Sequence, residues 1–277
     1  MNFRDVEDFE KYDVVQVNLD SMDMHMIPKI KRMIGDSSTK IVANQDYSPD
    51  TWKNGIGLPW DAENCIRAAD HVFATTPEAH SCYNAWMPDL NVKMIPHPIE
   101  TDVLKRMSTI HTNEHILVAY HRYQSDTLIP WMAAQGLGLP VSLGGHMENH
   151  DDRKRFTRST FDLIFPNLKF QDFVKMLAES RIVYDFMLNN SFGRVPCDCA
   201  CVGTPAVCSN RNYSARICYP DTTFDPYDLV NVKKTLSRLI NDKGFAEHVI
   251  SQASYNVEYF NHKNSRERYM AMLEEGS

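Results

Sequence analysis

The run Ile182–Ser209, IVYDFMLNNSFGRVPCDCACVGTPAVCS, holds the residues best placed to do chemistry. It reads as a buried strand, a loop carrying Phe192-Gly193, a helix start, the tight turn Gly203-Thr204-Pro205 and a second short strand. That order sets the first backbone N–H groups of a helix at the edge of a sheet. Such groups have no partner inside the helix, and they bind phosphates and sugar hydroxyls. Asn190, Ser191, Phe192, Gly193, Arg194 and Asp198 are the side chains that would face a ligand there. The same strand–loop–helix also occurs as plain architecture, so the run alone leaves both readings open.

Cys197, Cys199 and Cys201, with Cys208 and Cys218, raise the question of a metal. The first three fall at a helix start, and side chains two residues apart on a helix point about 200° apart. They cannot converge on one ion, and the sequence holds no C-x-x-C pair. No metal site is expected, and small core-filling thiols are the simpler reading.

The positioning elements are legible along most of the chain. Its 277 residues are 43% hydrophobic and 23% charged, enough for a sizeable core in one large or two modest domains. A net charge of −7 argues against a chain-wide nucleic-acid surface. No run approaches the roughly 18 apolar residues that span a membrane. Seven cysteines without a secretory signal read as reduced thiols of a cytoplasmic protein. Strands are expected at 14–19, 40–44, 71–75, 92–95, 116–120, 140–143, 163–165 and 181–186. Helices are expected at 28–34, 61–69 with Asp61 as cap, 77–86, 127–135, 171–180, 228–241, 244–256 and about 264–275. Strand–helix alternation implies parallel sheets covered on both faces, with ligands beyond the carboxyl ends of the strands. The segment from Pro96 to about Asn113 breaks the alternation into two series, which suggests two doubly wound domains.

Four segments in order resemble the GT-B nucleotide-sugar glycosyltransferases, family 4 in particular. Ala69 to Thr76, ADHVFATT, is similar to a strand motif of that family. Val92 to Leu104, VKMIPHPIETDVL, is similar to its interdomain segment. Ser191 to Val207 resembles the donor motif E-G-F-G-x-x-x-x-E-A-M-A-x-G-x-P-V, with Asn190 and Asp198 at the positions of its two glutamates. Ser254 to Phe260, followed by a helix, is similar to the final crossing back to the N-terminal domain. The resemblance implies an α/β, GT-B-like chain of two Rossmann-like domains facing a cleft. Residues 1–110 with 257–277 form a reduced acceptor-side domain, because the strand opening at Asp13 lies where several elements would precede it. Residues 111–256 form the donor-binding domain.

The resemblance also implies roles. Asp198 anchors the donor ribose, and Asn190 touches the sugar with its carboxylate replaced by an amide. The loop Ser191–Arg194 and Arg122 hold the diphosphate, although the lysine expected shortly after Arg122 is absent. Gly144-Gly145 is similar to a glycine turn beside the donor, and Phe165 marks the cradle of the base. Asp46 falls on the acceptor side, where a turn-forming aspartate is the competing reading. His97 reads equally as a packed hinge residue. The implied reaction is transfer of a sugar from a nucleotide-diphosphate sugar, with retention, through an oxocarbenium-like state and with no bound metal or further cofactor. The nucleotide sugar is a co-substrate. A large polymer, a glycan and a modified nucleic acid all fit as acceptor, and a second subunit or a homo-oligomer could complete the reduced domain. The competing reading is a degenerate nucleotide-sugar-binding subunit; an epimerase of the same fold ranks below both.

Overall fold

A computed structural model describes residues 9–18, 24–45, 59–108, 113–120, 125–145, 161–166 and 168–275. They divide into two compact units, one within 1–97, 190–192 and 263–277, the other within 98–189 and 193–262.

The first unit is built on four parallel strands in sequential order: β1 Val14–Asn18, β2 Lys40–Gln45, β3 His71–Ala74 and β4 Lys93–Met94. Helices α1 Met26–Ile34, α2 Pro59–Arg67 and α3 Pro77–Trp86 connect them. Both faces of the sheet are buried, as the two-residue side-chain period of a strand allows. On β2, Ile41 and Ala43 join Ile27, Ile30, Ile66 and Tyr83 in one core. Val42 points the other way, into a cluster with Phe73, Ile95 and Met272. Met272 and Tyr269 belong to the C-terminal helix, and the Tyr269 ring meets Phe73 edge-on at 5.9 Å. The motif residue Asp70 is architectural: its carboxylate accepts the Ile41 N–H at 2.8 Å and pairs with Lys31. Thr76 caps α3 by accepting the Ala79 N–H at 3.2 Å. Asp61 is not a cap: α2 opens two residues earlier, at Pro59, and Asp61 lies in its first turn.

The second unit begins with α4 Thr101–Lys105 and continues through β5 Asn113–Tyr120, α5 Ser125–Ala134, β6 Val141–Gly145, β7 Leu163–Pro166 and α6 Phe170–Glu179. It goes on through β8 Ser180–Asp185, α7 Arg194–Val202, β9 Ala206–Ser209, α8 Tyr213–Cys218, β10 Thr223–Phe224, α9 Leu229–Asn241 and α10 Lys243–Asn256. The C-terminal helix is α11, His262–Glu274. The six strands are parallel in the order β7-β6-β5-β8-β9-β10. The chain therefore winds outward from β5 in one direction, returns, and winds outward from β8 in the other. The reversal lies between β5 and β8, the point where sheets of this kind hold their ligands beyond the strand ends. The sequence reading overlooked α8 and β10. They are six and two residues long, too short to show a hydrophobic period.

Helix α7 is buried nearly all round, from Val195 to Val202. Its alternating Cys197, Cys199 and Cys201 are small enough to admit close neighbours, and burial pushes all three thiols up, so they stay neutral. The helix ends at Gly203, whose φ of +81° allows its N–H to return to the Cys199 carbonyl. Thr204 Oγ1 then donates to the Leu177 carbonyl at 2.8 Å, and Tyr219 donates to the Thr204 carbonyl at 2.6 Å. The Gly-Thr-Pro turn is thus a clamp behind α7.

Candidate functional site

The loop from β8 into α7 is held from below by the segment that follows β9. Asp185, the last residue of β8, is fully buried and accepts the Asn212 Nδ2 donor at 2.5 Å. The Asn212 side chain lies directly under Gly193, which has φ +72°; a Cβ built there would stand 2.6 Å from Asn212 Cγ. Ser214 Oγ donates to the Gly193 carbonyl, and Ser209 Oγ donates to the Met187 carbonyl at 2.6 Å. Gly193 precedes α7 and has no side chain to cap it. Pro196, in the first turn, has no N–H to leave unpaired. The start of α7 follows the carboxyl end of β8, one of the two strands at the reversal, and carries the partial positive charge of a helix N-terminus.

One turn into α7 sits Asp198, only 2% exposed. Its carboxylate accepts from Arg194 Nε at 3.3 Å. The same guanidinium reaches Glu100 Oε2 at 2.9 Å and lies 4.8 Å from the centre of the Phe170 ring. His262 stands 3.9 Å from the other Glu100 oxygen. Burial pushes the Asp198 carboxyl up to about 7; Arg194 pulls against that, while Glu100 and Asp185 add to it. Burial also pushes Glu100 up, but its own backbone N–H and Arg194 outweigh this and hold it below the usual range. Beside these groups is a depression of about 350 Å³ lined by Glu100, Val103, Leu104, Met107, Phe170, Gln171 and Arg194. A second, wider depression of about 500 Å³ lies along β10, α9 and α10, with Asp221, Lys234, Arg238 and His248 in its wall.

The structure gathers Gly193, Arg194 and Asp198 into this one constellation of the second unit. Asn190, Ser191 and Phe192 cluster with the first unit, where the Phe192 ring packs edge-on against His97 at 5.0 Å. Gly144 and Gly145 do not form a turn. They are the last two residues of β6, paired with Phe165 and Pro166 of β7. A Cβ on Gly144 would lie 2.2 Å from Met176 Cε and 3.1 Å from Leu117 Cδ1, so the missing side chain lets α6 settle on the sheet. The Phe165 ring lies 6.3 Å from the buried His115 imidazole. Asp46, Arg122 and the basic run 153–158 lie outside the described residues. Sequence reasoning missed Glu100 and Asn212. Glu100 lay inside a quoted motif, but its partner is 94 residues away, and Asn212 precedes a helix too short to notice. Among the described residues, no group of three or more His, Cys, Asp or Glu could hold a metal ion. None of their helices is long and apolar enough to cross a membrane.

Gly193→Ala must strain a positive φ and displace Asn212, for a cost of about 1–3 kcal/mol before any repacking. The expected reading is a Tm several degrees lower, and an unchanged melt would contradict the close approach. Asp198 gives a pH-dependent case. Its folded-state pKa lies above the unfolded value of 3.8, so between the two the folded chain holds the extra proton. Stability from this group is therefore fully present below about pH 4 and lost as pH rises to about 7, by on the order of 4 kcal/mol. Asp198→Asn removes the buried charge while Glu100 still pairs with Arg194. Thermal melts should show it more stable than wild type at pH 8, with the difference gone near pH 4; equal stability at pH 8 would contradict the assignment.

No protein-family model matches the sequence, and no curated protein matches it. Solved structures do match, along almost the whole chain. The α,α-trehalose 6-phosphate synthase of Burkholderia multivorans superposes with a TM-score of 0.74 at 12% identity, over 95% of this chain and 72% of that one. Sucrose-phosphate synthase of Thermosynechococcus elongatus gives 0.70 at 13% identity, over 96% of this chain and 74% of its own. TarM gives 0.71 at 10% identity, over 94% of this chain and 54% of its own. At such identities the likeness is one of fold. The chain has the GT-B fold of these glycosyltransferases, α/β with two parallel-sheet, Rossmann-like units.

Proposed function

We propose that this chain is a glycosyltransferase that moves a sugar from a nucleotide-diphosphate sugar to an acceptor hydroxyl. The observation that carries the reading is a buried carboxylate, Asp198, one turn inside a helix whose uncapped start lies at the strand-reversal edge of a parallel sheet. A ribose diol presents two O–H donors, and an ionised carboxylate accepts both. A diphosphate suits the helix start, where backbone N–H groups and the helix dipole favour negative charge.

In this reading Asp198 holds the ribose, and the backbone of Ser191–Arg194 together with Arg122 holds the diphosphate. Gly144, Gly145 and Phe165 border the rest of the nucleotide. Asn190 contacts the sugar, and Asp46 lies on the acceptor side. The bond from the anomeric carbon to the phosphate oxygen breaks, and the acceptor oxygen bonds to the same carbon. The departing phosphate takes up the hydroxyl proton, with retention of configuration. Helix-start dipoles and Arg122 stabilise the charge that develops on the diphosphate, so no metal is needed for that step.

A second reading has its own observation. Asn190 stands where the resemblance calls for a carboxylate, which favours a subunit that binds the nucleotide sugar without transferring the sugar.

Calorimetric titration with a panel of nucleoside diphosphates and nucleotide sugars tests the donor site. The wild type should bind at least one of them. Asp198→Ala should bind it about tenfold to a hundredfold more weakly, the worth of a lost charge-assisted hydrogen bond, without unfolding. Equal affinity in the variant would show the site to be misplaced. Slow release of free sugar without acceptor supports the enzyme, and tight binding with no release under any acceptor condition supports the subunit.

A further inference from the structure

We propose that Arg194 and Glu100 together set the nucleotide affinity of the Asp198 site: Arg194 holds the carboxylate in the form that accepts two hydroxyls, and Glu100 draws on the same guanidinium. The inference rests on the reading of Asp198 as the ribose contact and adds to it a pair of positioning residues.

The geometry is that of a shared cation. Asp198 and Arg194 are four residues apart on α7 and so lie on one face of the helix. The guanidinium is forked, with Nε on Asp198 at 3.3 Å and a terminal nitrogen on Glu100 at 2.9 Å. Phe170 supports its face at 4.8 Å. The carboxylate at one end is 2% exposed and that of Glu100 at the other is 46% exposed. Water can therefore solvate Glu100 if the fork opens, whereas Asp198 relies on Arg194. A buried carboxyl without its cation takes up a proton and becomes an O–H donor. It then offers the ribose one acceptor fewer and a competing donor.

The other charged groups around Asp198 act in known directions. Asp185 at the end of β8 and Glu100 ahead of α4 both disfavour its charge. His262 acts one step away, through Glu100. On α7 itself Cys197 and Cys199 are kept neutral by burial, and the free thiol Cys218 of α8 hydrogen-bonds with Cys197. Lys105 and Glu258 are paired with each other. Arg216 of α8 lies against the Tyr213 ring, and α6 meets the fork through Phe170.

The test is the pH profile of affinity from pH 5.5 to 8.5. The probe is whichever of UDP-glucose, GDP-mannose or ADP-glucose binds the full chain best. These are phosphate diesters and do not titrate in that range. For the wild type, affinity should rise about tenfold from pH 6 to pH 8, with a midpoint near the Asp198 value of about 7. Arg194→Gln should move the midpoint up and weaken binding most at the acid end of the range, with the loss fading toward pH 8.5. Glu100→Gln should move it down, so that affinity at pH 6 approaches that at pH 8. A structural role for the pair would lower affinity at all pH values and leave the midpoint in place, which would overturn the inference. So would shifts of both variants in one direction. If Arg194→Gln does not fold, Glu100→Gln decides alone, and the absence of a downward shift overturns the inference. Failure of the wild type to bind any of the three removes the donor-site reading itself. A wild type that binds with variants that keep its profile removes only the role of Arg194 and Glu100.

Discussion

The Asn212 amide fills the space under Gly193 and donates to the buried Asp185 carboxylate, and the strand-reversal edge of the second unit takes its form from that contact. Gly193 is held at a positive φ that other residues resist, and the amide leaves no room for a side chain. The turn fixes where α7 begins. The start of α7 in turn fixes Arg194 and, one turn later, Asp198. Behind the helix, the Thr204 and Tyr219 hydrogen bonds prevent it from sliding along its axis. The helix is thus clamped at both ends, and its polar residues lie at the front.

The same arrangement places stability and binding in opposition. A carboxylate that is 2% exposed destabilises the folded chain once it is ionised. A hydrophobic residue at 198 would pack better and could not accept hydroxyls. A buried carboxyl with a perturbed pKa and a specific charge partner is a candidate functional group. The Arg194 fork offsets part of the cost, and because Glu100 competes for it, the offset is incomplete. The cysteines of α7 belong to the packing side of this division: they are small, neutral and face the core.

Much of the fold was legible because it rests on period and length. Strands β1, β2, β5 and β8 carry short β-branched runs, and the Pro77 start of α3 is a recognisable first-turn position. The run Ile182–Ser209 is legible as a strand, loop, helix start, tight turn and second strand. What local sequence could not show was partnership across distance. Nothing near Glu100 announces Arg194, and Asn212 carries no sign that it will meet Gly193. Gly144-Gly145 is similar in sequence to a glycine turn of the family, but Gly144 yields space to Met176 within a strand. Asp61 looks like a cap from local sequence, whereas the proline-opened start two residues earlier makes it a first-turn residue.

The most direct test of the donor site is a crystal structure of the chain with a bound nucleoside diphosphate. The account predicts the ribose hydroxyls on the Asp198 carboxylate, the phosphates against the first turn of α7, and Arg194 still bridging Asp198 and Glu100. A nucleotide bound instead in the wider depression lined by Lys234, Arg238 and His248, or elsewhere away from α7, would contradict it.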